Sequence, residues 1–433
     1  MTKSIRIYNL YPKLVGSMEQ WIAHFDRIHK MHFDWIYINP FNYPGFSGSD
    51  YAIKHHYQYH PLYVTGTFDF EHPEKHVKKG NTLLKKVCRE AQQRGMNIMM
   101  DLVINHTAID SPLTQEHPEW YVRNHEGHFQ HPGAMDGSNW VAWKDLAQID
   151  NAHSSDRENL WTYWLEMLLF YAGLGVRGFR CDAAYHVPTD LWRFLIPKIK
   201  ERYPDVVFLG ETLGCQPHQV VEIAEAGFDL ISNSFKWWNL RDQWFLEQNR
   251  EYCRHAPSLA FPENHDTIRY AAEVSGNQHL AVMKYALSAY ICSGISITIG
   301  FEYGFQRQID VVHTNPSWWE PIHYDISKEI AAINEIKSSY GVLQEDNYIE
   351  IIHLNDGRLF GFTKESRDGQ EKIMVVANPE GHEAHTVRLS VESILGTQNV
   401  MDISHAHRLD SVPAYLEYHL QPGEVKLLYR AAK

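Results

Sequence analysis

The sequence has 433 residues, of which 44% are hydrophobic and 21% are charged, as in ordinary soluble globular proteins. The net charge of −13, without a basic patch, argues against a nucleic-acid partner. The longest apolar run, residues 286–301, is shorter than a membrane span and is interrupted by polar residues, so no membrane partner is expected either.

The cysteines indicate the compartment. There are five of them, widely spaced and without a CxxC pair, which is typical of buried thiols in a reducing environment. The first residues contain no apolar signal segment. We therefore expect a cytoplasmic protein.

Eight short β-rich runs follow one another along the first two thirds of the chain, mostly with helical patterns between them. Two of these predicted helices are residues 82–94, which end at Gly95, and residues 189–202. Eight such units predict an α/β fold with a closed parallel (β/α)8 TIM barrel. A doubly wound open sheet is the alternative, but no glycine-rich dinucleotide turn follows the first run. The predicted strands are residues 4–9, 34–39, 97–105, 178–182, 206–211, 228–233, 258–264 and 295–300.

Two further regions stand apart from the barrel, which we assign to residues 1–106 and 157–340. Residues 107–156, rich in His, Pro, Gly and Trp, form an unusually long connection after the third strand. Such connections are usually functional, and we interpret this one as a small inserted loop domain. Residues 341–433 alternate apolar and polar positions between turn signals, which predicts a C-terminal antiparallel β-sandwich domain.

Charged residues gather where the predicted barrel strands end, which is where (β/α)8 enzymes carry their chemistry. Arg180 and Asp182 alternate with apolar neighbours, so they share one face of their strand. A buried Arg–Asp pair is costly for stability alone, although a structural salt bridge is the simpler alternative. The same ends carry Asp101, Glu211 and Asp266. Four strand ends with carboxylates favour a catalytic site.

Four segments carry a family resemblance. Asp101-Leu-Val-Ile-Asn-His106, Gly178-Phe-Arg-Cys-Asp182, Gly210-Glu211 and Asn264-His-Asp266 resemble, in order and spacing, the four sequence regions of the α-amylase family of glycoside hydrolases, family 13. The resemblance implies a retaining α-glycosidase that hydrolyses α-1,4-glucan or maltooligosaccharides through a covalent glycosyl-enzyme. A glucanotransferase or maltosyltransferase using the same site is the first alternative, and a non-catalytic α-glucan-binding scaffold is the second.

The resemblance also implies residue roles. Asp182 would be the nucleophile, Glu211 the general acid and base, and Asp266 the group that stabilises the transition state. A retaining mechanism needs one ionised and one protonated carboxyl about 5–5.5 Å apart. Arg180 would keep Asp182 ionised, whereas Glu211 has no cation beside it in sequence and can stay protonated. His106, His265 and Arg180 would bind the sugar, with Asp101 supporting Arg180.

The rest of the sugar site is less regular. The family places an aromatic platform after the second strand, where this chain has Phe46 and Tyr51. Tyr185 stands where many members carry a sugar-binding Lys; stacking on a sugar and simple packing both remain open for it. His186 follows and is assigned to the substrate site.

We expect no cofactor and no metal, with a calcium ion as the alternative. In calcium-binding members Asn105 would be one ligand, but Gln148 occupies the place where a second ligand, an Asp, is expected. Calcium prefers several carboxylates, so Asn105 is better interpreted as a structural support that braces the loop.

Segments such as His117-Pro-Glu-Trp-Tyr and Ser234-Phe-Lys-Trp-Trp-Asn are most similar to the maltosyltransferases that use maltose 1-phosphate. Those enzymes carry Asn and Lys shortly after the nucleophile, where this chain has Ala183 and Val187. They also have N-terminal domains that find no match here. Since a Lys is a natural phosphate partner, we expect this chain not to use the sugar phosphate.

Overall fold

The computed structural model describes residues 4–66, 72–136, 139–396 and 399–431. Eight parallel strands close into a barrel in the order β1-β8-β7-β6-β5-β4-β3-β2. The predicted (β/α)8 barrel is confirmed, with strands shorter than the predicted runs. Their bounds are β1 Arg6–Leu10, β2 Trp35–Ile38, β3 Asn97–Leu102, β4 Gly178–Cys181, β5 Val207–Gly210, β6 Leu230–Ser232, β7 Ser258–Ala260 and β8 Gly294–Thr298.

The helices between the strands agree well with the sequence patterns. Thr189–Arg202 has the predicted bounds, whereas Pro73–Gln93 begins nine residues before the expected start at residue 82. Its first two turns bury only His76 and Gly80, so they lack the apolar periodicity that reveals a helix. The other α-helices are Pro12–Val15, Met18–Ala23, Phe25–Lys30, Leu113–Glu116, Arg157–Leu174, Pro217–Ala224, Gln243–Tyr252, Tyr270–Glu273, Gln278–Ile291, Ser327–Ser339 and Val391–Leu395.

Side chains alternate along each barrel strand between the interior and the helices. One buried cluster fills the interior, and it includes Ile7, Trp35, Met99 and Leu259. Their strand neighbours, such as Tyr8, Ile36 and Met100, belong to the larger core beneath the helices. Towards the carboxyl ends the interior-facing positions become polar, because the alternation continues to Asn9, Asn39, Asp101, Arg180 and Glu211.

Two small β-structures rise above these strand ends. After β2, strands Asn42–Pro44 and Ile53–Tyr59 pair as an irregular hairpin that was not predicted. After β3, His106–Ala108 pairs with Leu146–Gln148, and Gly133–Asp136 pairs with Asn139–Ala142. Apart from His106, the second group lies within the region predicted to be an inserted loop domain. The domain boundaries themselves stay a prediction.

The C-terminal region is antiparallel, as predicted. Its six-stranded sheet and its two-stranded sheet share a buried cluster that includes Met374 and Val387, which is the packing expected of a sandwich. The larger sheet, in spatial order, consists of Ile349–Ile351, Phe360–Glu365, Glu371–Ala377, Val425–Ala431, Val400–Ile403 and Arg408–Leu409; the smaller pairs His385–Ser390 with Tyr415–Leu420.

The helices and the cysteines can be compared with the expectations from sequence. In the described part of the chain, no helix combines the length and apolar character needed to cross a membrane. All five cysteines are free thiols; Cys88, Cys181 and Cys292 are buried, but Cys215 and Cys253 are only partly buried. The expectation of five buried thiols is therefore wrong for the last two.

Candidate active site

An ion cluster occupies the carboxyl ends of β3 and β4. Asp101 and Arg180 are direct partners in the β3–β4 register, so their interior-facing side chains meet. Nη1 of Arg180 donates to both oxygens of Asp101, at 3.0 and 3.1 Å, and to Oδ1 of Asp182 at 2.7 Å. The side chain of Arg180 is 7% exposed and that of Asp101 is fully buried. One buried guanidinium thus holds two carboxylates, and the salt bridge inferred from sequence is present.

Two tyrosines complete the shell of Asp101. The hydroxyls of Tyr37 and Tyr51 both donate to its Oδ2, at 2.5 and 2.7 Å. The Tyr51 hydroxyl also lies 2.6 Å from Nε2 of His265. Since its only proton goes to Asp101, Tyr51 must accept from His265, which assigns the Nε2–H tautomer to that imidazole. The rings of Tyr51 and His265 are parallel, with centroids 5.6 Å apart.

Glu211 follows β5 and faces the same cluster. Its Oε2 accepts from the backbone N–H of Ala183 at 2.9 Å, and its Oε1 accepts from that of Leu213 at 2.6 Å. Burial raises the pKa of Glu211 to about 7; the charge of Arg180 and the Leu213 N–H oppose this rise, and the charge of Asp182 adds to it. Glu211 therefore titrates near neutrality.

Ala183 has the unusual conformation needed for this contact. Its φ is 39° and its ψ 52°, in the left-handed region that non-glycine residues seldom adopt. Such a conformation costs on the order of 1–3 kcal/mol and tends to occur at functional sites. In this chain it directs the Ala183 N–H towards the Glu211 carboxyl.

The remaining motif residues lie around this centre. Asp266 has an exposed side chain, and its Oδ2 lies 3.2 Å from Nε2 of His265. Nε2 of His106 contacts the Tyr51 carbonyl at 3.1 Å, whereas its buried Nδ1 has no partner within the described residues. Burial lowers the pKa of His106 to about 4 and that of His265 to about 3, so both imidazoles are neutral at pH 7.

Three predicted substrate residues lie further out. Phe46 is 72% exposed in the turn after β2. Tyr185 and His186 form an edge-to-face pair, with centroids 4.4 Å apart, in the short helical turn after β4. Of the two platform candidates, Tyr51 is joined to the central cluster by hydrogen bonds, and Phe46 is an open aromatic face at its margin.

Asn105 braces the inserted region through its backbone, because its carbonyl accepts from Ile149 N–H at 3.0 Å. Its Oδ1 is buried, and none of the described residues hydrogen-bonds to it. A calcium ion there would need further carboxylate oxygens. Among the described residues, the His, Cys, Asp and Glu side chains converge in metal-binding geometry at His117, Glu119 and Asp156, and not around Asn105. The donors at Asn105 do not fit calcium.

Sequence reasoning missed part of the site. Asn39 donates to the hydroxyls of Tyr37 and Tyr51, at 3.1 and 3.0 Å, and accepts from Asn9 at 2.7 Å. These residues orient the tyrosines that hold Asp101. The sequence did contain a signal for Asn9 and Asn39. Both are polar residues at the interior-facing carboxyl ends of β1 and β2, as Asp101 is in β3.

Comparison with known proteins bears on this arrangement. A family model described as the glucanotransferase domain of glycogen debranching enzyme matches residues 1–150. The alpha-1,4-glucan:maltose-1-phosphate maltosyltransferase of Chlorobaculum tepidum is 24% identical over 429 residues, covering 90% of this chain and 63% of that enzyme. The chain spans less than two thirds of the length of the maltosyltransferases it matches first.

Solved structures agree in fold. An α-amylase from Lactobacillus plantarum superposes with a TM-score of 0.77 at 20% identity, covering 99% of both chains. The trehalose-6-phosphate hydrolase of Bacillus licheniformis gives a TM-score of 0.79 at 15% identity, again covering 99% of both. The resemblance indicated by the four motifs is confirmed in sequence by the similarity to the maltosyltransferases, and the fold is that of the α-amylase structures.

Proposed function

We propose that the chain is a retaining α-glycosidase that acts on α-1,4-glucan or maltooligosaccharides. One observation carries this proposal: an Asp182 carboxylate paired with the buried Arg180 faces a buried Glu211 whose pKa is about 7. A retaining mechanism needs two carboxyl groups in one site, one that attacks the sugar and one that donates a proton. The residue roles that the family resemblance implies fit the geometry.

In the first step, an Asp182 oxygen attacks the anomeric carbon of the sugar. The bond from that carbon to the glycosidic oxygen breaks, and the Glu211 proton moves to the leaving oxygen. Arg180 donates to Asp182 and so holds its carboxyl group in place before the attack. His106 and His265, both neutral, supply hydrogen bonds to the sugar without adding charge. Asp266 supplies negative charge beside the developing oxocarbenium ion.

In the second step, Glu211 accepts a proton from the incoming hydroxyl group. The oxygen of that group bonds to the anomeric carbon, and the ester to Asp182 breaks. Water as the acceptor gives hydrolysis, and a sugar hydroxyl gives transfer. The matched relatives are maltosyltransferases, so transfer is the second candidate function.

The donor is proposed to be an unphosphorylated glucan. The small cavity at the strand ends is lined by Glu211, His265, Asn264, Phe261 and Arg180, among other described residues, and Arg180 is the only Lys or Arg in that lining. Its Nη1 is already engaged by Asp101 and Asp182. Val187, at the position of the relatives' Lys, is buried and apolar. Besides Arg180, which already holds two carboxylates, this lining offers no Lys or Arg to pair with a phosphate.

The test is incubation with maltoheptaose and separation of the products. Only shorter sugars would indicate hydrolysis, and longer ones would indicate transfer. Asp182→Ala and Glu211→Gln should both abolish turnover while circular dichroism shows the wild-type fold. Binding of maltoheptaose without turnover by the wild type would instead support a glucan-binding scaffold. We also propose the cytoplasm as the compartment, supported by the five free thiols.

A further inference from the structure

A segment after β8 crosses one side of the barrel mouth. Nε2 of Gln308 donates to the Asp266 carbonyl at 3.3 Å, after β7. Three residues further on, the Val311 carbonyl accepts from Asp50 N–H at 3.2 Å, in the loop after β2. Since β7, β8, β1 and β2 are consecutive in the barrel, the segment spans that arc of the rim. We call residues 308–312, together with residues 48–50 and Lys13, the rim bridge.

Lys13 connects the two loops of the bridge through hydrogen bonds. Its Nζ donates to the carbonyls of Gly48 at 2.6 Å, Val311 at 2.6 Å and Val312 at 3.2 Å, and lies 3.5 Å from Asp50 Oδ1. The Lys13 side chain is 4% exposed and that of Asp50 is fully buried. A buried ammonium with three acceptors and a counter-ion is fully satisfied, so it fixes the loops after β2 and β8 to each other.

The bridge adjoins the candidate active site. Tyr11, fully buried beneath it, stacks on His265 with ring centroids 6.3 Å apart and planes 25° from parallel. His265 in turn contacts Tyr51 and Asp266. The bridge therefore adjoins the proposed sugar-binding residues, through Gln308 at Asp266 and through Tyr11 at His265.

The position of the rim bridge relative to Glu211 determines which end of a bound glucan the bridge faces. Glu211 follows β5, and in the closed strand order β5 lies opposite β1. A general acid must reach the glycosidic oxygen, so it stands on the side of the leaving group. The bridge, centred on β8 and β1, lies on the other side, towards which the non-reducing part of the substrate extends.

We propose that the rim bridge closes the cleft on that side, so that the site is a pocket for the non-reducing end of a glucan. The chain then acts from that end and releases units of one short length, rather than cutting within the chain. This inference rests on the proposed α-1,4-glucan activity. According to this inference, the loops after β8 and β2 determine where a glucan is cut, together with Lys13, which joins them.

Two reducing-end-labelled maltoheptaoses test it, one with a free non-reducing glucose and one with that glucose capped by an ethylidene acetal. The free substrate should give one labelled product size at the earliest times. The capped one should react at least about a hundredfold more slowly, because the cap cannot enter a closed pocket. Equal rates on both substrates would refute the closed pocket and leave the glucan activity standing. No cleavage of either would refute the proposed function and this inference with it.

Lys13→Met tests the bridge itself. Without its ammonium the two loops lose their shared donor, and the rate on the capped substrate relative to the free one should rise about tenfold as the pocket opens. Lys54→Met is the matched control, since it removes a half-exposed pair with Asp110, 2.8 Å long, outside the bridge. Its ratio should equal that of the wild type. An unchanged ratio in a folded Lys13→Met variant would argue against the bridge as the barrier.

Discussion

The backbone N–H of Leu213 should set the pH dependence of the enzyme. It donates to Oε1 of Glu211 at 2.6 Å and so favours the ionised carboxylate. Leu213→Pro removes this donor. The turn should tolerate proline, because Gly214 follows with φ 82°, as in a type II turn, where proline is favoured at the preceding position.

The size of the effect follows from the energy of that hydrogen bond. A hydrogen bond to a charged group contributes about 1.5–3 kcal/mol, and one pKa unit corresponds to about 1.4 kcal/mol, so the pKa of Glu211 should rise by about 1–2 units. In the proposed mechanism Glu211 acts as an acid, and it can do so only while it is protonated. Wild-type activity should therefore fall as the pH rises through about 7, the pKa of Glu211, and in the proline variant the fall should come at higher pH.

The assay is kcat/KM on a maltooligosaccharide across pH 5 to 10, because this quantity reports the pKa values of the free enzyme. Leu213→Ala is the matched control: it removes the same side chain from the cavity wall but keeps the N–H. Its alkaline limb should coincide with that of the wild type. Two results would refute the idea that this N–H lowers the pKa of Glu211. One is an alkaline limb of the Leu213→Pro profile that coincides with that of Leu213→Ala, and the other is a shift of that limb to lower pH.

Four further outcomes are expected. Asp182→Asn should lower kcat by about four orders of magnitude or more in a steady-state assay, without changing the Tm, because the covalent step is lost. Tyr51→Phe, which deletes a hydroxyl bonded to Asp101 and His265, should lower kcat/KM about tenfold to a hundredfold. Glu263→Gln breaks a buried ion pair with Arg269, 3.1 Å long, and should cost about 3–5 kcal/mol in urea unfolding but spare kcat. Chelation by EDTA should leave the Tm unchanged, since the donors at Asn105 do not fit calcium.

The barrel could be predicted because each strand is a short run of apolar residues that ends in polar ones, and because helices separate the runs. The start of the Pro73–Gln93 helix could not be predicted. Its first turns bury few side chains, so the sequence shows no hydrophobic periodicity there. The Asn42–Pro44 and Ile53–Tyr59 hairpin was missed for a related reason. Its pairing contains register shifts, so a regular alternation is absent from the sequence.

The candidate active site, too, could be predicted from the sequence only in part. Asp101, Arg180 and Asp182 could be predicted because a strand end and a two-residue alternation place them on one face. The supports of Glu211 could not, because both are backbone N–H groups, which every non-proline residue carries whatever its side chain. The left-handed φ of Ala183 is likewise invisible in the sequence, since alanine rarely adopts it.

The different surroundings of the Asp182 and Glu211 carboxyl groups can be traced to the strand register. Arg180 faces Asp101 across β3 and β4, and Asp182, two residues further along, reaches the same Nη1. Glu211, on the next strand, feels the Arg180 charge, but its oxygens bond to backbone N–H groups instead. A contact with a guanidinium group compensates the charge of a carboxylate. Two neutral N–H donors only reduce the free-energy cost of burying that charge. The barrel therefore places Arg180 against Asp182 and leaves Glu211 to hold its proton near neutral pH, which is the division of labour that a retaining glycosidase needs.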